Sequence, residues 1–202
     1  MNAPRRCVLL LACCAISCSP PREDGPPMPA KTQPSAHGRG DLTALSGSPD
    51  ARAIEGAIET DVPGELTMKV ARSWIAQTSL ATGHVLFMSR DEAVSVSLSD
   101  NGSAPLESGA ISRWLGQPWL KLTTPQIGTF RSLPLGRGAL EAEIAAGSGK
   151  RDGVSTEVVS VRLLRDTQKG PRHVLVNIFA TDRATPEARA EAQAMVRSLG
   201  PR

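Results

Sequence analysis

A short apolar run near the N-terminal end constrains this sequence most, because every cysteine lies in it or directly after it. Residues 7–17 form the run after Arg5 and Arg6, and the cysteines are Cys7, Cys13, Cys14 and Cys18. At about 11 residues, roughly 16 Å as a helix, the run is too short for a hydrocarbon core of ~30 Å. It has the form of a secretory signal. The sequence beyond residue 18 must therefore fold without internal disulfides or cysteine metal ligands.

A lipobox-like motif precedes Cys18, since residues 15–18 read AISC. It resembles the signal of bacterial lipoproteins, which places small residues before a lipidated cysteine. Residues 10–13 read LLAC and supply the preferred leucine, but they leave only about six apolar residues before the cysteine, where 7–15 are usual. The resemblance implies a signal peptide over residues 1–17 and lipidation of Cys18, with Cys13 as the alternative. Plain secretion with cleavage after Ser19 is the other interpretation.

Lipidation would decide where the protein resides. One acyl chain binds a membrane only marginally, whereas two or more anchor it stably. A lipoprotein-type modification carries three chains. The resemblance therefore implies a protein anchored in the cell envelope, in the outer membrane facing the periplasm, because Ser19 and not aspartate follows Cys18. A secreted protein is the alternative.

Residues 18–56 form a segment rich in proline, glycine and serine. Up to Ala53, its few large apolar residues lack any period: Met28, Leu42 and Leu45. Such a segment buries too little surface to offset its ordering entropy. We predict a disordered tether here, followed by one folded domain over residues 57–202, as expected for about 145 residues.

The charge balance excludes a bulk attraction to nucleic acid. The chain has 23 Lys and Arg against 20 Asp and Glu, and two of the cations are Arg5 and Arg6 in the signal. Without them the excess is a single positive charge, too small for such an argument. We therefore expect no nucleic-acid partner, and the partners that remain are the membrane, an envelope protein or a small ligand.

Alternating apolar residues predict strands through most of the domain. The first half has strands at residues 58–62, 66–70, 85–88 and 94–99, a short helix within 106–115 and an irregular connection over 119–130. The second half has a three-strand meander at 140–144, 159–163 and 174–180, with a polar loop at 147–153. In the last strand, the residues that point to each of the two faces are largely apolar, so we expect this strand to be central and covered on both faces.

The sequence specifies its C-terminal helix best. Thr185 is suited to the N-cap, Pro186 to the first helical position and Glu187 to the positive end of the helix dipole. We predict an α+β fold: an antiparallel sheet of about five to six strands, with the mid-chain helix and the C-terminal helix packed on it.

Three segments carry a resemblance to PsbP-like domains. They are residues 135–139 (LGRGA), 173–176 (HVLV) and 195–199 (MVRSL), within the same order of strands and helices. The resemblance covers residues 58–199. It implies an accessory or binding module without catalysis.

No motif in the chain predicts catalysis, a metal or a cofactor. Residues 147–150 read GSGK but lack the other P-loop residues, so a hairpin loop is expected there. The histidines His37, His84 and His173 have no zinc spacing. The alternative to a binding module is a hydrolase in which His84 or His173 meets a serine and a carboxylate only in space.

Two sets of residues are candidates for binding. The first is a cationic set that could dock an acidic partner or lipid headgroups, although a solvated sheet edge is the plainer interpretation: Lys150, Arg151, Arg162, Arg165, Lys169 and Arg172. The second is the pair Trp114 and Trp119, which could line a groove or pack in the core. We therefore expect a membrane-anchored envelope protein that acts by binding and not by catalysis.

Overall fold

Eleven strands and two α-helices are present in the described part of the chain. The computed structural model describes Leu45 and residues 56–79, 83–135 and 140–202. In chain order the elements are β1 (Ile58–Val62), β2 (Leu66–Val70), β3 (Ile75–Ser79), β4 (His84–Met88), β5 (Val94–Asp100), α1 (Ser108–Leu115), β6 (Leu122–Ile127), β7 (Arg131–Ser132), β8 (Leu140–Arg151), β9 (Val154–Thr167), β10 (Gly170–Thr181), α2 (Pro186–Arg197) and β11 (Gly200–Pro201). A 3₁₀ turn covers Pro118–Leu120.

The predicted signal and lipidation site lie outside these residues. So do Cys13, Cys18 and nearly all of the predicted tether. Their lipidation and the boundaries of the signal, tether and domain stay predictions.

Two antiparallel sheets organise the described residues. The larger has eight strands in the order β3-β4-β5-β10-β9-β8-β6, with β7 also paired to β8. The smaller has the order β1-β2-β11. Every strand pair in both sheets is antiparallel.

The prediction of an α+β fold with a sheet of five to six strands was wrong. Strands hold 53% of the described residues, and the sheets have eight and three strands. The protein is mostly β. The prediction failed because β3, β6, β7 and β11 have no alternating apolar pattern: two of them contain only two residues, and β6 contains Pro125.

Strand β10 lies in the middle of the larger sheet, between β5 and β9, as predicted. Its seven residues from Val174 to Ala180 are all buried, so both faces of the strand are covered. Val176 belongs to the main core and Leu175 to a second one, which the alternation of side chains places on opposite faces. Each face of the sheet therefore requires a covering layer.

Helix α2 and the smaller sheet cover the first face. The Thr185 side chain accepts a hydrogen bond from the Ala188 amide at 3.2 Å, which confirms the predicted N-cap. The helix buries Met195 and Val196 in the main core. At its end, Ser198 Oγ accepts a hydrogen bond from the Lys69 amide of β2 at 2.8 Å. The helix thus ties the smaller sheet to the main core.

Helix α1 and the residues after it cover the second face. Ile111 and Leu115 of α1 are buried there with Leu175 and Phe179 of β10. The connection over residues 119–130, predicted as irregular, contains the 3₁₀ turn and strand β6.

Residues 147–151 belong to β8 and not to the predicted loop, so the hairpin turns at Asp152 and Gly153. The glycines that suggested a loop allow β6 to approach. A Cβ atom on Gly147 would lie 2.2 Å from the Gln126 carbonyl oxygen, and one on Gly149 would lie 2.8 Å from a Leu122 methyl carbon. Glycine is needed at these positions because the neighbouring strand leaves no room for a side chain.

Leu45 is fully buried in the main core, although the sequence pattern places it in the tether. We expect Leu45→Ala to lower the free energy of unfolding by about 2–5 kcal/mol, because it removes a buried leucine side chain. Urea unfolding followed by circular dichroism would measure the change. Ile58→Ala, at a residue 55% exposed, is the control and should cost less than about 1 kcal/mol. Equal effects of the two substitutions would show that residue 45 is not part of the core.

Candidate functional site

A cavity of about 550 Å³ lies over the ends of β8, β9 and β10. Its apolar lining includes Pro105, Leu106, Leu133, Pro134, Leu163 and Leu164. Its polar lining is Ser132, Glu141, Glu143, Arg162 and His173. Small-molecule sites usually combine apolar walls with convergent polar groups, and this cavity has both.

The strand register brings the polar residues to one face. Glu143 of β8 lies opposite Arg162 of β9. Two residues further along, Glu141 lies opposite Leu164, which itself lies opposite His173 of β10. Since residues two apart on a strand share a face, the two glutamates, Arg162 and His173 all line the same side of the sheet.

Arg162 is held on three sides. It forms an ion pair with Glu143, at 2.7 Å between Nη2 and Oε2. Its Nη1 donates a hydrogen bond to the Leu106 carbonyl oxygen at 2.8 Å, and its guanidinium carbon lies 3.9 Å from the centre of the Phe130 ring. This arginine therefore fixes the wall of the cavity and is already neutralised by Glu143.

Glu141 is the remaining acidic group of the cavity. It is exposed, and it has no ion pair or side-chain hydrogen bond among the described residues. With Glu143 engaged by Arg162, the unpaired negative charge at this site belongs to Glu141. The geometry suits a ligand that has an apolar body and a cationic group.

Ser132 and His173 line this cavity but are too far apart to form a catalytic pair. Ser132 of β7 lies opposite Glu143 of β8, so three strand spacings separate it from β10. At 4.7–4.9 Å per spacing, the separation is about 14 Å, which exceeds the reach of a hydrogen bond between the two side chains.

His84 lies near a second cavity of about 330 Å³, which is mainly apolar. Ser99 of β5 lies opposite His84, and Asp100 lines the same cavity. The Asp100 carboxylate is paired with Arg172, however. As neighbours along one strand, Ser99 and Asp100 direct their side chains to opposite faces of the sheet, so the two do not converge on His84.

The predicted cationic set is divided between opposite ends of the sheet. Arg165, Lys169 and Arg172 lie at or near the turn between β9 and β10, whereas Lys150 lies opposite Ser155 near the other end of β9. Ten residues separate positions 155 and 165, about 33 Å along the strand.

Most of these cations bind other parts of the fold. Arg151 donates a hydrogen bond to Ser95 Oγ at 3.0 Å, and Arg172 is paired with Asp100. Arg165 donates hydrogen bonds to the carbonyl oxygens of Gly64 and Glu65, before β2. Arg162 binds the Leu106 carbonyl group. The set therefore does not form a continuous surface, and four of its six members join separate segments of the chain.

Trp114 is partly buried and packs against the second core, so its role in packing is at least as clear as a role in a groove. Its ring centre lies 6.4 Å from that of His84, at an angle of 57°. Trp119 lies in the 3₁₀ turn, but its side chain is outside the described part of the structure. The predicted groove between the two tryptophans stays untested.

A buried polar row crosses the second face of the sheet, and no sequence argument identified it. Asn177 of β10 lies opposite Ser97 of β5 and Ser160 of β9, and all three are fully buried. Ser160 Oγ donates a hydrogen bond to Asn177 Oδ1 at 2.6 Å. The Asn177 Nδ2 and Ser97 Oγ atoms have no protein partner, which suits a bridging water.

Within residues 56–79, 83–135 and 140–202, no three His, Cys, Asp or Glu side chains converge as metal ligands would. In the same part of the chain, neither helix has the length and apolar character needed to cross a membrane.

Comparisons with known proteins place the chain in no family. No family model matches it, and no curated protein does. The PsbP-like resemblance is therefore not shown.

Some solved structures are similar at low identity. LpqN of Mycobacterium tuberculosis, described as involved in cell envelope biogenesis, has a TM-score of 0.46 and 14% identity over 76% of this chain and 97% of its own. The Ran-binding protein Mog1p of Saccharomyces cerevisiae has a TM-score of 0.43 and 14% identity over 71% of this chain and 95% of its own. A Pseudomonas aeruginosa protein of unknown function has a TM-score of 0.41 and 16% identity over 72% of this chain and 97% of its own. With TM-scores below 0.5, these similarities carry no argument about function.

Burial lowers the pKa of His84 below its ordinary value of 6.5. The unfolded chain therefore binds more protons at this residue as the pH falls below about 6.5, and stability rises with pH over that window. We expect the free energy of unfolding to fall as the pH is lowered from about 7.5 through 6.5 to about 5. In His84→Gln this fall should be smaller, as measured by urea unfolding at each pH. Identical pH profiles for the two proteins would contradict the assignment to His84.

Proposed function

We propose that this protein is a membrane-anchored cell-envelope lipoprotein whose folded domain binds a small amphipathic ligand without catalysis. The anchor rests on the lipobox-like motif before Cys18, and the binding activity rests on the cavity over β8, β9 and β10. The observation that carries the ligand proposal is the unpaired Glu141 carboxylate beside an apolar wall.

The cavity favours a ligand with a cationic head and a short apolar chain. Leu106 and Leu164 supply apolar contacts, and Arg162 is already paired with Glu143. Glu141, Glu143 and Arg162 together carry one net negative charge. An amine therefore gains an ion pair with Glu141, whereas a carboxylate of the same length would be repelled.

In the described part of the chain, the potential nucleophiles and bases at the two cavities do not converge, which favours binding over hydrolysis. Ser132 and His173 lie about 14 Å apart across three strand spacings. Near His84, the Asp100 carboxylate is engaged by Arg172. A hydrolase needs its nucleophile and base within hydrogen-bond reach, in a geometry that binding of the substrate can complete.

The ligand class can be tested with octylamine as the probe. We expect the full chain to bind octylamine more tightly than octanoate in isothermal titration calorimetry. Glu141→Gln should weaken octylamine binding by about two- to five-fold, as expected for loss of a partly exposed ion pair. Glu59→Gln removes another exposed carboxylate, on β1 and outside the cavity, and should leave the affinity unchanged.

Two results would contradict this proposal. One is equal affinity for octylamine and octanoate that Glu141→Gln does not change, which would remove Glu141 as a ligand group. The other is turnover of p-nitrophenyl octanoate that is lost in His84→Ala or His173→Ala, because it would favour the hydrolase.

The anchor can be tested separately by intact mass. We expect the full chain, expressed in a bacterium that processes lipoproteins and extracted from its membranes, to begin at Cys18 and to carry acyl mass. Cys18→Ser should abolish the modification, whereas Cys13→Ser should leave it in place. Acylation that survives Cys18→Ser and is lost in Cys13→Ser would move the anchor to Cys13. An unmodified chain that begins at Pro20 would identify a secreted protein.

A further inference from the structure

Strand β3 forms one end of the larger sheet, and its outer edge pairs with no other strand in the described part of the chain. Its five residues read IAQTS, without a charge or a proline, and its pairing with β4 runs without a bulge. Ile75 is 50% exposed, and Ala76 and Gln77 are exposed as well. Sheet edges normally carry charges, prolines or bulges that prevent pairing with another chain, and β3 has none of these.

Three other outer strands differ from β3. At the opposite end of the larger sheet, β6 contains Pro125 and a register shift between Thr123 and Gln126. In the smaller sheet, the outer strand β1 exposes Glu59 and Asp61. The outer strand β11 has only two residues, and one of them is Pro201. Protection against strand addition is thus missing at β3 and present at the other three strands.

We infer that β3 is a self-association edge, at which two copies of this chain pair antiparallel about a two-fold axis. Pairing centred on Gln77 gives the longest overlap, because it sets Gln77 opposite Gln77 of the second copy. Ile75 then lies opposite Ser79 in both halves of the interface. Such an interface is isologous, as in most homodimers, and it would join the two larger sheets into one.

A second copy suits this edge because self-pairing of β3 places no like charges opposite each other. Self-pairing of β1 about Thr60 would instead set Glu59 against Asp61 of the other copy and would be disfavoured. The paired segment has only five residues on each side, so the contact is much smaller than the 1,200–2,000 Å² of stable interfaces. We therefore expect a weak dimer that dissociates on dilution.

Charge exchange at Gln77 tests the interface. The full chain, kept in reducing buffer, would be followed by sedimentation equilibrium over a range of concentrations. Gln77→Lys alone and Gln77→Glu alone should each self-associate about two- to five-fold more weakly than the wild type, because like charges oppose each other. An equimolar mixture of the two variants should regain the association, because Lys then faces Glu.

Matched controls come from Gln168, an exposed glutamine in the turn between β9 and β10. Gln168→Lys and Gln168→Glu make the same charge changes far from β3 and should leave association at the wild-type level. Circular dichroism should show all four variants folded. A wild-type chain that stays monomeric, variants at Gln77 that associate like the wild type, or a mixture no tighter than its components would each overturn the inference.

Discussion

The burial of β10 on both faces is the constraint on which the rest of the fold depends. Val174, Val176 and Ile178 are fully buried in the main core, and Leu175 and Phe179 are buried in the second. Because neither face of this strand can be left in water, the chain must supply two covering layers. Helix α2 and the smaller sheet form one layer, and α1 with the residues that follow it forms the other. The candidate cavity lies where the second layer ends, at Leu106.

Arg162 fixes the end of the second layer beside the cavity. It extends from the central part of β9 and binds the Leu106 carbonyl group, the Phe130 ring and Glu143 of the neighbouring strand. A partly buried charge is costly unless it is paired and hydrogen-bonded. Here both Nη atoms and the face of the guanidinium have partners on three segments, whereas Nε has no partner in the described part of the chain. The same contacts leave Glu141 as the acidic group available to a ligand. One structural ion pair therefore defines both the shape of the cavity and its charge.

The sequence predicted the elements whose apolar period is regular and missed those whose pairing depends on distant residues. From Val174 to Ala180, apolar residues at both odd and even positions predicted a central strand, and the structure confirms it. Thr185 and Pro186 predicted the start of α2, which is also confirmed. Strand β6 was missed because its place in the sheet depends on its close approach to Gly147 and Gly149. From the local sequence, these glycines predicted a loop. The cavity could not be predicted either, because only the registers of two strand pairs bring Glu141 and His173 to the same face of the sheet.

The cationic set shows why nearness in sequence is a poor guide in a long meander. In an antiparallel hairpin, residues near the turn lie close together. Residues at the two ends of a 14-residue strand such as β9 lie at opposite ends of the sheet. Lys150 therefore cannot act with Arg165 on a small partner, although both belong to the same meander. Arg165 and Arg172 lie closer together, but each is bound to another segment, at Glu65 and Asp100. Their charges thus tie the turn between β9 and β10 to the start of β2 and the end of β5, and the same residues that suggested a docking surface contribute to the stability of the fold.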